Sequence, residues 1–516
     1  MLRKRPFGER TLVLLCGAFV LLAALFLLPH SSDGAYAAND ALWFGRHAEV
    51  APLQGVVGHH PLFHFLVNAL TSVLRTSDID HPGHHAVRLL AGLAGVCWLA
   101  LLAITLRGRP VVILLCAIAP VLLSRGFLFE TAVGENVVPA GAGAAALFVL
   151  AARGRDQILG LGIATVAVLL LRQDNLLFIP ALLLLLRYRA TNPIPFSRLV
   201  PWVACVGLCT LCLYYGIYWI TQVGTLADRA PTFLGWMFKL VGDESGFRSW
   251  NPEGVPWITN LKLHMAALGW ALFGVQSFDA AFPIMLGLSY LSLSACALFL
   301  IGRSIGRQVS LYALVAILLL RMPFFTLVEA QNFEWWVPTM MVTAALLVSS
   351  TAWLPEGSLR GLLRWALYGL LVLGAFSFTQ HVGPTCQLRS TKMHEDAVQA
   401  LALLQANQPC SAIALGHVAA TAWSLRGITP QVIEGEGEVA LQKLHEIVVA
   451  KGNRPAVLLL DRFVYNGQPA IRRLREDHYS KTLDEAPARP GDVIYRREGR
   501  ITVIGLDAKD VLPKPK

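Results

Sequence analysis

Apolar residues along the chain gather into long unbroken runs, separated by short polar stretches that are rich in arginine. A helix crossing the hydrocarbon of a bilayer needs about 20 consecutive, mostly apolar residues. Runs of this character occupy residues 11–28, 89–106, 111–124, 136–152, 158–171, 176–186, 199–220, 281–301, 309–320, 336–354 and 362–378. Several are shorter than an upright span and borrow flanking residues, which predicts about eleven transmembrane helices. Two further apolar stretches, 61–74 and 261–276, are short and broken by polar residues, and they predict interfacial or re-entrant helices.

From about residue 380 the pattern changes. Residues 393–407 and 439–449 carry helical periodicity, whereas SAIALG and PAVLLLD read as strands, and DVIYRREGRITVIGL reads as a closing hairpin that turns near Glu498 and Gly499. The expected fold is therefore an α-helical polytopic membrane protein with a C-terminal α/β extracytoplasmic domain. Residues 1–379 form the membrane domain, with a first outer loop at 29–88, and residues 380–516 form the second domain.

Composition agrees with this class. Of 516 residues, 55% are hydrophobic and 15% charged, against about 25% charged in a soluble globular protein. A net charge of +10 raises the question of nucleic acid. The basic residues do not line one polar face, however, and instead punctuate the apolar runs, so no nucleic-acid partner is expected. Arg3, Lys4, Arg5 and Arg10 precede the first run and place its start on the cytoplasmic side. Arg107 and Arg109, Arg153 and Arg155, Arg187, Arg189 and Arg198, Arg303 and Arg307, and Arg360 and Arg364 then fall on that same side. An odd number of spans leaves the tail outside, in the periplasm if the host membrane is the bacterial inner membrane. Most cysteines lie in or beside apolar runs and behave as small hydrophobes. Cys386 and Cys410 lie in the polar tail, where pairing as a disulfide is an open alternative.

Behind the first run stands SSDGAYAAND, residues 31–40. A signal-peptidase site at Ala35–Ala37 is one reading of it, but an apolar segment of about 18 residues is longer than the usual h-region of about 7 to 15. The run is taken as an anchor, which puts Asp33 and Asp40 at the outer membrane surface. Other unusual polar residues collect at outer helix ends: Arg125, Glu130, Glu135, Arg172, Asp174, Arg321, Glu329 and Glu334. Span centres are almost free of charge, unlike those of an ion-coupled transporter. Chemistry at the membrane surface fits better than transport through the midplane.

The sharpest local pattern is GVVGHHPLFHFLVNAL, residues 55–70, in the first outer loop. An acidic residue soon after the first span, an aromatic at Tyr36, and a His-Pro-Leu-aromatic element opening an amphipathic helix together resemble the GT-C superfamily of membrane glycosyltransferases. Protein mannosyltransferases and lipid A aminoarabinose transferases are examples. The resemblance extends to the topology of the whole chain, while its specific residues occupy 33–70; Arg172, Gln173 and Asp174 in LLLRQDNLLFIPALLLLLRYR match more loosely. The doubled His59-His60 departs from the Lys-Pro-Pro or His-Pro-Pro forms of two subfamilies, so the sugar is not carried over.

The resemblance implies a polyprenyl-phosphate-linked sugar donor and a glycan, lipid or protein acceptor. A sugar held through phosphate already has a good leaving group, so one carboxylate acting as general base suffices; Asp33 is that candidate and Asp40 the reserve. Arg172, Arg125 and Arg321 are candidates for clamping the lipid phosphate, with His59 and His60 hydrogen-bonding the donor or bracing the loop. Glu130 and Glu135 are candidates for binding the acceptor or a divalent metal ion. His60 and His64 are four apart on a helix and could share a metal, but no acidic third ligand lies nearby in sequence. A lipid-linked glycan flippase, and a structural membrane subunit indifferent to these residues, are the alternatives.

Overall fold

The computed structural model describes, apart from isolated positions, residues 39–53, 56–77, 81–106, 111–134, 136–154, 157–189, 192–226, 230–237, 256–273, 281–328, 332–354 and 361–379, and five strand segments between 411 and 506. The chain divides into two compact units, Met1–Leu27 with His47–Cys386 and Leu28–Arg46 with Gln387–Lys516. The first apolar run, Asp33, Glu135, Cys386 and Cys410 lie outside the described residues.

Each apolar run from residue 89 onward lies on a helix. The helices are α1 (Asn39–Val50), α2 (Pro61–Arg75), α3 (Pro82–Thr105), α4 (Val111–Leu122), α5 (Arg125–Val133), α6 (Val137–Ala152), α7 (Ile158–Leu171), α8 (Ile179–Tyr188), α9 (Phe196–Tyr218), α10 (Trp257–Phe273), α11 (Ala281–Ser304), α12 (Val309–Val328), α13 (Trp336–Thr351) and α14 (Leu362–Ser377). Four described helical segments are long and apolar enough to cross a membrane alone: Pro82–Thr105, Phe196–Val223, Ala281–Ser304 and Val309–Val328. A fifth segment is bent by 73° between Val112–Leu122 and Arg125–Thr131. The expected run of residues 111–124 thus stops short of a straight span. Pro120 lies inside its last turns, and the Ser124 side chain accepts from the Phe127 amide at 3.2 Å, starting a new helix in a new direction. Residues 176–186, expected as one run, begin as a 3-10 turn over Gln173–Phe178 before α8.

The core is built around α13, every residue of which is buried. Helices in lipid gain little from hydrophobic burial against one another and associate by close packing, which favours small residues at the contact. α6, VVPAGAGAAALFVLAA, supplies them. A Cβ at Gly141 would come within 2.6 Å of Met341 Sδ and 3.0 Å of Pro338 Cα, so the glycine lets α13 approach backbone to backbone. Hydroxyls that α13 carries into this apolar setting bond within the helix, as Thr343 donates to the Thr339 carbonyl at 2.8 Å, or to a neighbouring helix, as Ser350 pairs with Ser310 Oγ at 2.6 Å. Trp98 of α3 donates to the Met341 carbonyl at 3.4 Å.

In the second unit, the described residues form a five-stranded mixed sheet in the order β2-β1-β3-β5-β4, from β1 (Ser411–Leu415), β2 (Gln431–Ile433), β3 (Ala456–Asp461), β4 (Ile494–Tyr495) and β5 (Ile501–Leu506). β1 pairs in parallel with β2 and β3, while β5 runs antiparallel to β3 and to β4. SAIAL, AVLLLD and the final pair are the strands expected from the sequence; β2 is an addition, since QVI is too short to show a period. The stretches 393–407 and 439–449, expected to be helical, lie outside the described residues.

α14 packs on α4 through Gly374, where a Cβ would meet the Ala119 carbonyl carbon at 2.6 Å and Pro120 N at 2.9 Å. Gly374→Leu should therefore lower the unfolding temperature of the purified protein, with a cost of about 1–3 kcal/mol from overpacking. Gly216→Ala on α9, where the added carbon meets nothing within 4 Å, should leave that temperature unchanged or raise it through helix propensity.

Candidate functional site

α7 is apolar throughout, ILGLGIATVAVLLL, and ends where the polar sequence RQDN begins. Arg172 is extended there, at φ −163° and ψ 125°, and the chain turns at once into the 3-10 helix Gln173–Phe178. Asn175 supports the stop, its Nδ2 donating at 2.9 Å to the Val168 carbonyl, which also accepts from the Arg172 amide at 3.3 Å.

This turn brings together two arginines expected to lie apart in sequence. Arg172 Nε donates to Asp174 Oδ1 at 2.8 Å, and Arg321 Nη2 donates to Asp174 Oδ2 at 3.2 Å. The side chains of Asp174 and Arg321 are only 9% and 3% exposed. Arg172 Nη1 also donates to Asn136 Oδ1 at 2.7 Å, and Arg321 Nη2 to the Trp335 carbonyl at 3.0 Å. Aromatic faces cover both cations. The Arg172 guanidinium lies 4.3 Å from the Trp335 ring centroid; that of Arg321 lies 4.4 Å from Phe178 and 4.7 Å from Phe325, and Phe325 stacks on Trp335 at 4.4 Å. Two guanidiniums against one carboxylate leave the cluster with a single net positive charge. Arg321 Nε and the Trp335 indole nitrogen are buried without a hydrogen-bond partner among the described residues.

Arg125 opens α5 at the same end of the bundle, its guanidinium 5.4 Å from the Phe333 ring and 5.9 Å from Phe129. Phe333 and Trp335 share one 3-10 turn, so that turn touches both Arg125 and Arg172. Glu130 is fully buried on α5. Gly134 closes the helix at φ +90° with its α-carbon against the Arg88 backbone, where a Cβ would stand 2.7 Å from Arg88 N. The chain then delivers Asn136 to Arg172.

His59 and His60 are held next to this cluster. His60 precedes Pro61, which opens α2 with a ring suited to a first helical turn. The rings of His59 and His60 lie 3.9 Å apart, and those of His60 and His64 5.0 Å apart. The loop is stapled to the Arg172 turn by Gln173. Its backbone amide donates to the His59 carbonyl at 2.9 Å, and its Nε2 donates to the carbonyls of Gly58 and Met237 at 3.0 Å each. Burial, then the neighbouring His59, His64 and Arg172, push the His60 imidazole well below the usual 6.5. Burial, then His59 and His47, do the same to His64. Both rings are therefore neutral at pH 7 and contribute hydrogen bonds, not charge, to whatever binds here.

The described residues thus bring together Arg172, Arg321, His59 and His60, and they place Arg125 against the neighbouring turn. Of Asp40, only the backbone in α1 is described. No group of three or more His, Cys, Asp or Glu among the described residues is arranged to hold a metal ion. Asp174 and Gln173 were noted in sequence beside Arg172, but not as counter-ion and staple, and Asn136 and Trp335 were not singled out. Adjacency to Arg172 was the available signal for Asp174, and the aromatic cluster NFEWW at an apolar run's edge was the one for Trp335.

No protein-family model and no curated protein matches this sequence. Among solved structures, ArnT from Cupriavidus metallidurans in the apo state is similar over 98% of this chain and 99% of its own, with a TM-score of 0.57 at 11% identity. ArnT from the same organism bound to undecaprenyl phosphate matches with a TM-score of 0.54 at 12% identity, over 96% of this chain and 98% of that one. The fold is that of the GT-C glycosyltransferases. Agreement over nearly the full length, together with the long apolar helices, makes the chain a multi-pass membrane protein. Within this fold the arginine cluster sits where α7 ends against the turn before α13, with Arg321 about two turns inside α12 and not at a helix end as the sequence suggested.

Asp174→Ala should destabilise the protein by about 3–5 kcal/mol, because it leaves two buried guanidiniums facing each other; Asp174→Asn, which keeps an acceptor, should cost less, as read from thermal unfolding in detergent. The histidines predict a pH dependence. They stay neutral in the folded protein but take up protons near pH 6.5 once unfolded, so stability should fall as the pH drops from about 6.5 toward their lowered folded values. A His60→Gln, His64→Gln double variant should show a shallower loss of unfolding temperature between pH 7 and pH 5 than the parent.

Proposed function

We propose that this protein transfers a sugar from a polyprenyl-phosphate-linked donor to an acceptor at the outer face of a bacterial inner membrane. The observation that carries this reading is the buried Arg172–Asp174–Arg321 cluster, with its net positive charge at one end of an apolar bundle. The GT-C fold supports it, as does the undecaprenyl phosphate held by one structural neighbour. A lipid phosphate has its charge at the rim of the hydrocarbon and its tail within it. A cation cluster near helix ends, screened by aromatic rings, suits such a headgroup.

In the proposed reaction, the acceptor oxygen forms a bond to the anomeric carbon as the bond from that carbon to the phosphate oxygen breaks. The lipid phosphate departs with the electron pair, and Asp33 takes the proton of the acceptor hydroxyl, with Asp40 in reserve. Arg172 and Arg321 stabilise the leaving phosphate, Arg125 supports them, and His59 and the neutral His60 hydrogen-bond the donor. Glu130 and Glu135 are the candidates for binding the acceptor or a divalent metal ion. In this reading the amino terminus is cytoplasmic, about eleven helices span the bilayer, and the chain from residue 380 is a periplasmic α/β domain that shapes acceptor access.

Mass spectrometry of cell-surface glycans and lipid-linked sugars, with and without the gene, should show a missing glycan modification and an accumulated donor. Asp33→Asn should leave the protein inserted and abundant while reducing transfer by about 10² to 10⁴. Arg172→Gln and Arg321→Gln should weaken donor use first. Protease added to intact spheroplasts should remove the tail. Movement of a lipid-linked glycan across the membrane with no glycosidic bond formed, or normal transfer by the Asp33 variant, would refute this assignment.

A further inference from the structure

The end of the bundle opposite the arginine cluster carries a second basic surface. Following α7 back from Arg172 to Ile158, α8 onward to Tyr188 and α12 back from Arg321 to Val309 leads to the segments 151–157, 187–198 and 302–308. In sequence these hold Arg153, Arg155, Arg187, Arg189, Arg198, Arg303 and Arg307 against one acidic residue, Asp156. The segments are tied together by hydrogen bonds. Arg189 Nε donates to the Asn192 carbonyl at 2.7 Å, Asn192 Nδ2 to the Gly154 carbonyl at 3.1 Å, and Arg307 Nη1 to the Arg189 carbonyl at 3.0 Å. Arg153 Nη2 reaches Thr105 Oγ1 at 3.2 Å. The turns use left-handed backbone at Gly154 (φ +67°), Asn192 (φ +50°) and Gly306 (φ +71°), so Arg198, Arg303 and Arg307 stand exposed on a braced scaffold into which Arg189 is buried.

Two features say what this surface fits. The Arg187 guanidinium lies 5.3 Å from the ring centroids of both Tyr188 and Phe196, and its Nε is buried without a hydrogen-bond partner among the described residues. Beside it α9 begins, with Phe196, Val200 and Val203 all exposed along an apolar helix long enough to cross the bilayer. Charge at the rim, aromatic rings at the interface and an open apolar helix below match the order of a phospholipid: phosphate, glycerol, acyl chain.

We propose that this surface binds the phosphodiester headgroup of an anionic phospholipid, with an acyl chain lying along α9. Arg187, Arg303 and Arg307 supply the charge. A zwitterionic lipid presents an ammonium to the same arginines and is disfavoured. The inference is independent of the reaction at the other end.

The test uses the full-length protein in neutral detergent, titrated with phosphatidylglycerol or phosphatidylcholine and followed by thermal unfolding and native mass spectrometry. Phosphatidylglycerol should bind roughly tenfold or more tightly than phosphatidylcholine, with the preference shrinking as salt rises. Arg303→Gln with Arg307→Gln should weaken phosphatidylglycerol binding by roughly ten- to thirtyfold and lower the unfolding temperature in phosphatidylcholine by no more than the loss of the one Arg307–Arg189 hydrogen bond; the double Lys variant should retain most of the binding. If the double Gln variant does not fold, the lipid preference of the parent and of Arg187→Gln decides. Equal binding of the two lipids, undiminished binding by the folded Gln variants, or the same stabilisation from millimolar inorganic phosphate alone would overturn the proposal.

Discussion

Two guanidiniums and one carboxylate removed from water impose the constraint around which one end of this molecule is organised. A buried charge costs several kcal/mol unless it is paired and hydrogen-bonded. Asp174 answers for both arginines, Asn136 takes a further donor of Arg172, the Trp335 carbonyl takes one of Arg321, and Trp335, Phe178 and Phe325 cover the remaining faces. The partners arrive on several elements, so α5 must end at Gly134, α7 at Arg172 and the turn before α13 at Trp335. The pairing is incomplete by one charge. That remainder distinguishes a cluster able to attract an anion from one that only holds helices together.

The second organising force is close packing. In lipid the helices have little to gain from hiding apolar surface, so contact depends on how near two backbones come. Gly141 against Pro338, and Gly374 against Ala119 and Pro120, mark the places where α6 meets α13 and α14 meets α4. The polar staples then set the loops: Gln173 fastens the His59 loop, and Trp236 Nε1 and Gln222 Nε2 both donate to the Val56 carbonyl, at 2.9 Å and 3.2 Å.

Much of the helical layout was legible because hydropathy acts over long windows. Every apolar run within the described residues is helical, and residues 61–74 fall within α2. What hydropathy cannot show is where an apolar run bends. The break at Ser124 depends on one proline and one hydroxyl inside a stretch that is apolar on both sides. In the site, Arg172 and Arg321 stood out because ionisable residues at the edges of apolar runs are rare. Asn136 and Trp335 did not, since an amide and an indole beside the membrane are ordinary and acquire meaning only through Arg172, which lies far from both in sequence. The proposed role of Asp33 as the base rests on the sequence pattern around it alone.

Enclosure of α13 sets it apart from every helix that borders lipid. Its side chains answer to neighbouring helices alone, so natural selection there acts on shape more than on hydropathy; hydroxyls persist at Thr343 and Ser350, where each finds a partner. α9 lives under the opposite rule. With Leu208, Leu211 and Leu213 turned outward, it is free to drift among greasy residues of any outline. In distant homologues, α13 should be recognisable by its volumes and α9 only by its oiliness.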